Sequence, residues 1–167
     1  AGASPEDVYL KHLGAAARML GEWWKLDQAN FAEVTLGTSR MYAIMRGMRH
    51  LFVNPHSTGE KFAIFASVPG ETHTLGVRMA ADLFRKDGWE VDLKLGMDHD
   101  NLVADVQKKL AGVIGLSTGG NHSIEALSRL VAALQISCPH LPILVSGQDI
   151  EAIKPSLVLL GVDGIAM

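Results

Sequence analysis

The sequence predicts an α/β fold in which a five-stranded parallel sheet follows an N-terminal helical segment. Three observations carry that prediction. Up to Phe52 the apolar residues recur at steps of three and four, and beyond Glu60 the period changes to short β-rich runs. These runs, at 61–68, 90–95, 112–118, 142–146 and 164–167, are largely apolar, as strands buried on both faces are. One helical pattern separates each run from the next, the connection that parallel strands require.

Each element has its own signal. Ser4 is a suitable N-cap, with Pro5 at the first helical position and Glu6 and Asp7 in the first turn. Leu13, Ala16, Ala17, Leu20, Trp23 and Trp24 continue that helix. Asp27 or Asn30 can cap a second one, whose seam is Phe31, Val34, Thr38, Met41, Met45, Met48 and Phe52. Met fills irregular gaps, so core packing is the simplest role of that seam. Two helices with one-sided seams must pack on each other, on the rest of the chain, or on further helices. Asn54-Pro55-His56-Ser57-Thr58-Gly59 is polar and turn-rich and marks 53–60 as a linker. Helical patterns at 77–86, 101–109, 123–137 and 150–160 then alternate with the strands. Right-handed crossovers make the result a doubly wound, Rossmann-like sheet of flavodoxin-like order. The expected domains are a helical cap subdomain at 1–52, the linker at 53–60 and the Rossmann-like domain at 61–167. The start at Ala1 and the stop within the fifth strand read as cuts in a larger chain.

Composition excludes several classes. Hydrophobic residues make up 48% of the 167 and charged residues 20%, a globular balance. A net charge of −3 argues against a surface that neutralises nucleic-acid phosphates. Cys138 is the single cysteine, so neither a disulfide framework nor a cysteine metal site is available. No apolar run has membrane-spanning length, and a cytoplasmic location is the default.

Ligands of doubly wound sheets bind beyond the carboxyl ends of the strands, where strand order reverses. Here that point lies between the first and third strands. The loop after the first contains Glu71-Thr72-His73-Thr74-Leu75-Gly76. His73 offers a nitrogen ligand, Glu71 can fix its tautomer, and Gly76 lets a bulky group approach the backbone. The third strand ends in Ser117-Thr118-Gly119-Gly120-Asn121-His122 and the fourth in Ser146-Gly147, while Gly164 opens the fifth. Small hydroxyls and glycines at these strand ends suit a slot for a deep, flat ligand. The Gly119-Gly120 pair also reads as an ordinary turn before a helix capped by Asn121.

This constellation resembles the cobalamin-binding domain, whose pattern is Asp-x-His-x-x-Gly, then Ser-x-Leu, then Gly-Gly. Glu71-x-His73-x-x-Gly76 is followed after 40 residues by Ser117-x-Gly119, and after another 26 by Ser146-Gly147. The departures are Glu for Asp, Gly for Leu and Ser for the first Gly. The resemblance implies that His73 is the lower axial cobalt ligand with Glu71 behind it. It also implies that the displaced nucleotide tail runs past Ser117 and Ser146-Gly147. Trp23, nine residues and Glu33 resemble the Trp-x9-Glu-His signature of light-sensing repressors, in which a helical bundle covers the cofactor's upper face. Val34 replaces that histidine. The implied upper wall is Trp23, Phe31, Val34 and Met41, and any second cobalt ligand would be water or His122. The stretches Leu20 to Gly37 and Gly70 to Gly76 are most similar to tetrapyrrole-binding sensor domains of photosynthetic bacteria, among them aerobic and blue-light antirepressors, first described as sensors containing heme.

What the resemblance implies is a non-catalytic cobalamin-binding photoreceptor or redox sensor of a transcription regulator. Its ligand would be adenosyl-, methyl- or hydroxocobalamin. Its partner would be a transcription repressor or another signalling module, with no direct nucleic-acid or membrane contact. Two alternatives share the fold: a heme sensor ligated by His73, and a corrinoid methyl carrier of a methyltransferase system. Heme has no nucleotide tail and does not need the Ser117–Gly147 slot; the Trp23–Glu33 spacing favours the sensor over the carrier. A phosphoacceptor receiver is excluded because the third strand ends Leu116-Ser117-Thr118 without Asp. A dinucleotide site is excluded because Val68-Pro69-Gly70-Glu71 lacks the glycine fingerprint. A flavin phosphate site after the first strand is poor, since Glu71 repels the anion.

Overall fold

The computed structural model describes residues 2–55, 59 and 61–166. Of the expected linker, His56, Ser57, Thr58 and Glu60 lie outside the described residues, as does Met167 of the expected last strand. The chain divides into two compact units, Ala1–Val53 and Asn54–Met167.

The first unit is helical. The Ser4 hydroxyl accepts from the Asp7 N–H at 3.1 Å and starts α1 (Pro5–Asp7). The helix widens to π geometry over Val8–Leu13 before resuming as α2 (Gly14–Lys25). Sequence periodicity does not announce that change of pitch. Asp27 takes a left-handed turn conformation (φ 54), and Asn30 is the cap of α3 (Phe31–Met48). Its side chain accepts from the Glu33 N–H at 3.0 Å while Glu33 accepts from the Asn30 N–H at 2.8 Å, a reciprocal capping box. A Cβ on Gly37 would meet Leu20 Cδ2 at 2.9 Å, so the missing side chain there lets α2 and α3 approach. Met41 and Met45 are buried, and Tyr9 stacks on Phe52 with centroids 4.2 Å apart.

The second unit contains β1 (Phe62–Ser67), α4 (Leu75–Lys86), β2 (Glu90–Lys94), α5 (His99–Gln107), β3 (Val113–Thr118), α6 (Ile124–Ser137), β4 (Ile143–Gly147), α7 (Ile150–Leu160) and β5 (Gly164–Ala166). All neighbouring pairs are parallel and the order is β2-β1-β3-β4-β5, the flavodoxin-like arrangement. The period of two divides β1 between the faces. Ile64, Ala66 and Val68 join Leu102, Leu127, Leu130 and Ile153 of α5, α6 and α7. Ala63 and Phe65 join Val77 and Ala81 of α4 on the other face. A Cβ on Gly115 would overlap the Phe65 ring, so that glycine accommodates the aromatic. The outer strand β2 carries charge: Lys94 bridges Asp92 at 3.1 Å and Asp105 at 3.0 Å, and Lys109 pairs with the same two carboxylates. Charged edges discourage pairing with a foreign strand. No helix among the described residues is long and apolar enough to cross a membrane.

Candidate functional site

The strand order reverses between β1 and β3, and the site residues gather where those strands end. After β1 the chain turns through Val68-Pro69-Gly70-Glu71, with the Glu71 N–H donating to the Val68 carbonyl at 2.9 Å. Pro69 presets the first corner, and Gly70 (φ 85) takes the positive φ of the second, a type II turn. The turn buries Glu71, whose side chain is 1% exposed, while the His73 side chain stays 60% exposed. One carboxylate oxygen, Oε1, accepts from the His73 backbone N–H at 2.8 Å and faces His73 Nδ1 at 2.6 Å. An ionised carboxylate only accepts, so Nδ1 carries the proton of the neutral ring. The Nε2 lone pair is left for a metal.

The other oxygen is engaged from the far loop. Ser123 Oγ donates to Glu71 Oε2 at 2.9 Å and accepts from the Gly119 N–H at 3.3 Å. His122 Nε2 lies 3.2 Å from the same Oε2. The two imidazole centroids are 6.4 Å apart. Burial pushes the Glu71 carboxyl up, but the hydrogen bonds from the His73 backbone, the His73 ring and Ser123 outweigh it and hold it below its ordinary value. The ionised form therefore contributes stability above the ordinary 4.5, and this is lost as pH falls through the lower folded-state value. Glu71→Gln is expected to be less stable than the parent at neutral pH and to approach it under acid, as read from denaturant unfolding across that range.

The neighbouring strand ends supply hydroxyls. Ser117 pairs with Ser146 and Thr118 with Gly147 in adjacent strands. Ser117 and Thr118 are buried, and Thr118 Oγ1 has no hydrogen-bond partner among the described residues. A buried, unpaired hydroxyl is costly unless a ligand or water completes it. Thr72 is exposed, and Thr74 is half-buried just before α4. Leu75 and Gly76 form the first turn of α4, which begins two residues earlier than the sequence pattern suggests; a Cβ on Gly76 would meet nothing within 4 Å.

Gly164 pairs with Leu144, and it is Ala166 that lies beside Ser146. Parallel register therefore sets Gly164 back from the strand ends, and its missing side chain clears Leu144 Cδ2, which a Cβ would meet at 2.6 Å. His122 stands in the same loop cluster as His73, with its side chain 63% exposed. Asn121 is the first residue of a short 3-10 turn, Asn121–Ser123, whose N-cap is Gly120, and Ser123 is the N-cap of α6. Trp23 and Phe31 are exposed, Val34 is half-buried and Met41 is buried, all within the helical unit. Ser123 was missed by the sequence reading, which took it only as a helix start; the signal for it was a hydroxyl in the loop after β3, facing a carboxylate that needs donors.

Comparison with known proteins gives the family. A family model described as B12 binding domain matches residues 62–166, which is more than half of the chain. The chain is 24% identical, over 95% of its own length and 84% of the relative's, to an uncharacterized 20.5 kDa protein from the bchF-crtJ intergenic region of Rhodobacter capsulatus. It shares its fold with the monomethylamine corrinoid protein of Methanosarcina barkeri (TM-score 0.78, 15% identity, 96% of this chain and 76% of that one). It also shares it with a cobalamin-binding protein of Desulfitobacterium hafniense DCB-2 (TM-score 0.60, 16% identity, 96% and 78%). The residues present fit a corrinoid: an imidazole whose Nε2 is free, a carboxylate fixing its tautomer, and an unpaired buried hydroxyl at the end of the adjacent strand. The chain belongs to the B12 binding domain family, and cobalamin is the cofactor that this family match assigns to it.

Proposed function

We propose that this chain is a non-catalytic, cytoplasmic sensory domain that holds cobalamin through His73 and reports its state to a transcription repressor or another signalling protein. The observation that carries the ligation is the Glu71–His73 pair at 2.6 Å, which leaves Nε2 as the basic nitrogen. Bound cobalamin would supply the chemistry, through a light-sensitive cobalt–carbon bond or a ligand exchange at cobalt. The chain's own part is to orient His73, to hold its Nδ1 proton on Glu71, and to offer the hydroxyls of Ser117, Thr118 and Ser146 to the tail. Support for the sensory role comes from the Trp23–Glu33 spacing.

A second reading is a corrinoid methyl carrier working with a methyltransferase. The likeness in fold to the monomethylamine corrinoid protein favours it. One set of spectra separates the readings. The protein is mixed separately with adenosyl-, methyl- and hydroxocobalamin and with hemin, and absorption is followed in darkness and after illumination. The sensor is expected to bind an alkylcobalamin without its benzimidazole on cobalt and to change spectrum and partner affinity on illumination. Uptake of hemin alone would replace cobalamin with heme in this proposal. A partner affinity indifferent to light and to the cobalt ligand, with methyl transfer to an added methyltransferase, would establish the carrier.

A further inference from the structure

We propose that, before a corrinoid occupies the site, Glu71, His73 and His122 form a chelating site for a divalent transition cation, with Zn2+ as its probe. The three residues each offer one ligand atom, and these atoms lie within 4.8 Å of one another. Tetrahedral zinc with nitrogen and oxygen ligands holds its donors about 3.3 Å apart, two imidazoles and one carboxylate are a usual set, and the fourth position is left to water. Small rotations of the histidines reach that geometry, since their side chains are 60% and 63% exposed while the carboxylate between them is fixed.

The second histidine is built into the arrangement. A Cβ on residue 119 would overlap both Glu71 Oε2 and the His122 ring, with His122 Nε2 at 2.6 Å. Only glycine there lets His122 lie against the carboxylate, and this is the position where the family pattern has leucine. Ser123, donating to Glu71 at 2.9 Å, supplies the outer support that metal-binding carboxylates use.

The cation would take the place of the His73 ring proton that faces Glu71 Oε1 and would bind His122 through Nε2, now 3.2 Å from Oε2. Each coordinated imidazole stays neutral, with its single proton on the nitrogen turned away from the ion. For His73 this places the proton on Nε2, the nitrogen that the corrinoid reading needs bare. The ion and the corrinoid would then exclude each other through the tautomer of one ring. That exclusion rests on the proposed ligation by His73; the cation site itself does not.

The test is calorimetric titration of the corrinoid-free chain with Zn2+, comparing the parent with His122→Ala and Gly119→Leu. One equivalent should bind, and each variant should bind at least about tenfold more weakly, the smallest loss expected when a metal site gives up a supporting group. The absence of a stoichiometric site in the parent would overturn the inference, as would equal affinities in the parent and His122→Ala, the result of adventitious binding to scattered histidines. Circular dichroism checks that the variants fold; if Gly119→Leu does not, His122→Ala decides alone. A second titration, with hydroxocobalamin, follows preloading with Zn2+ and should show weaker uptake. Unchanged uptake, with the first titration positive, would keep the cation site and remove the exclusion. Failure of the chain to take up cobalamin at all would instead count against the corrinoid reading.

Discussion

His73→Ala is expected to fold like the parent and to lose at least about 100-fold in cobalamin affinity, more than the 10–100-fold typical of deleting an outer partner of a ligand. The fold should survive because little is removed from the interior: the His73 side chain is 60% exposed. Glu71 keeps the backbone N–H of residue 73, Ser123 and His122 as partners, so its buried charge is not stranded. Any cobalamin that still binds should show a base-on or water-ligated spectrum. Glu71→Gln should act more weakly on the same spectrum, since Gln retains an acceptor beside Nδ1 and loses the charge. Circular dichroism and absorption of the reconstituted variant check both. A His73→Ala protein whose spectrum and affinity match the parent would remove His73 as the ligand.

The strands were legible because burial on both faces leaves a nearly continuous apolar run, and Phe62–Ser67 and Val113–Thr118 lie within the predicted runs. Helix starts were less legible. Leu75 and Gly76 read as loop because Gly is a poor helix former, yet the chain closes its first turn through them. The π-helical Val8–Leu13 left no mark, since a change of pitch inside a helix is decided by packing and not by propensity. The site divides the same way. Glu71 and His73 lie two residues apart, and local turn chemistry alone brings the carboxylate back onto the following backbone N–H and ring. Ser123 meets Glu71 across 52 positions of sequence. Only the parallel pairing of β1 with β3 creates that contact, and no local pattern reports it. Gly164 depends on register in the same way: its pairing with Leu144 is set by the β4–β5 ladder and not by any local pattern.

Register also changes what a substitution at Gly147 tests. As a residue of the tail slot, Gly147 invites a bulky replacement that blocks cobalamin and spares heme. The geometry gives it an earlier duty. Gly147 pairs with Thr118 at the ends of β4 and β3, with φ 155. A Cβ there would overlap the Thr118 carbonyl and sit 3.0 Å from the Thr118 N. Backbone cannot rotate aside as a side chain can, so even Gly147→Ala must push β4 away from β3. Strain and overpacking of this kind together cost on the order of 2 to 5 kcal/mol. Gly147→Ala is therefore expected to unfold at markedly lower denaturant and to lose cobalamin and heme alike, without bearing on the slot. Ser146→Leu is the cleaner probe, because Ser146 is only half-buried and keeps its backbone pairing with Ser117. It should fold, and it should weaken cobalamin at least tenfold while leaving any hemin uptake in place, because heme carries no nucleotide tail. A Gly147→Ala protein as stable as the parent would mean that the close approach of β3 and β4 at Thr118 relaxes at no cost. Equal loss of both tetrapyrroles in a folded Ser146→Leu would mean that the hydroxyls at these strand ends do not line the path of the tail.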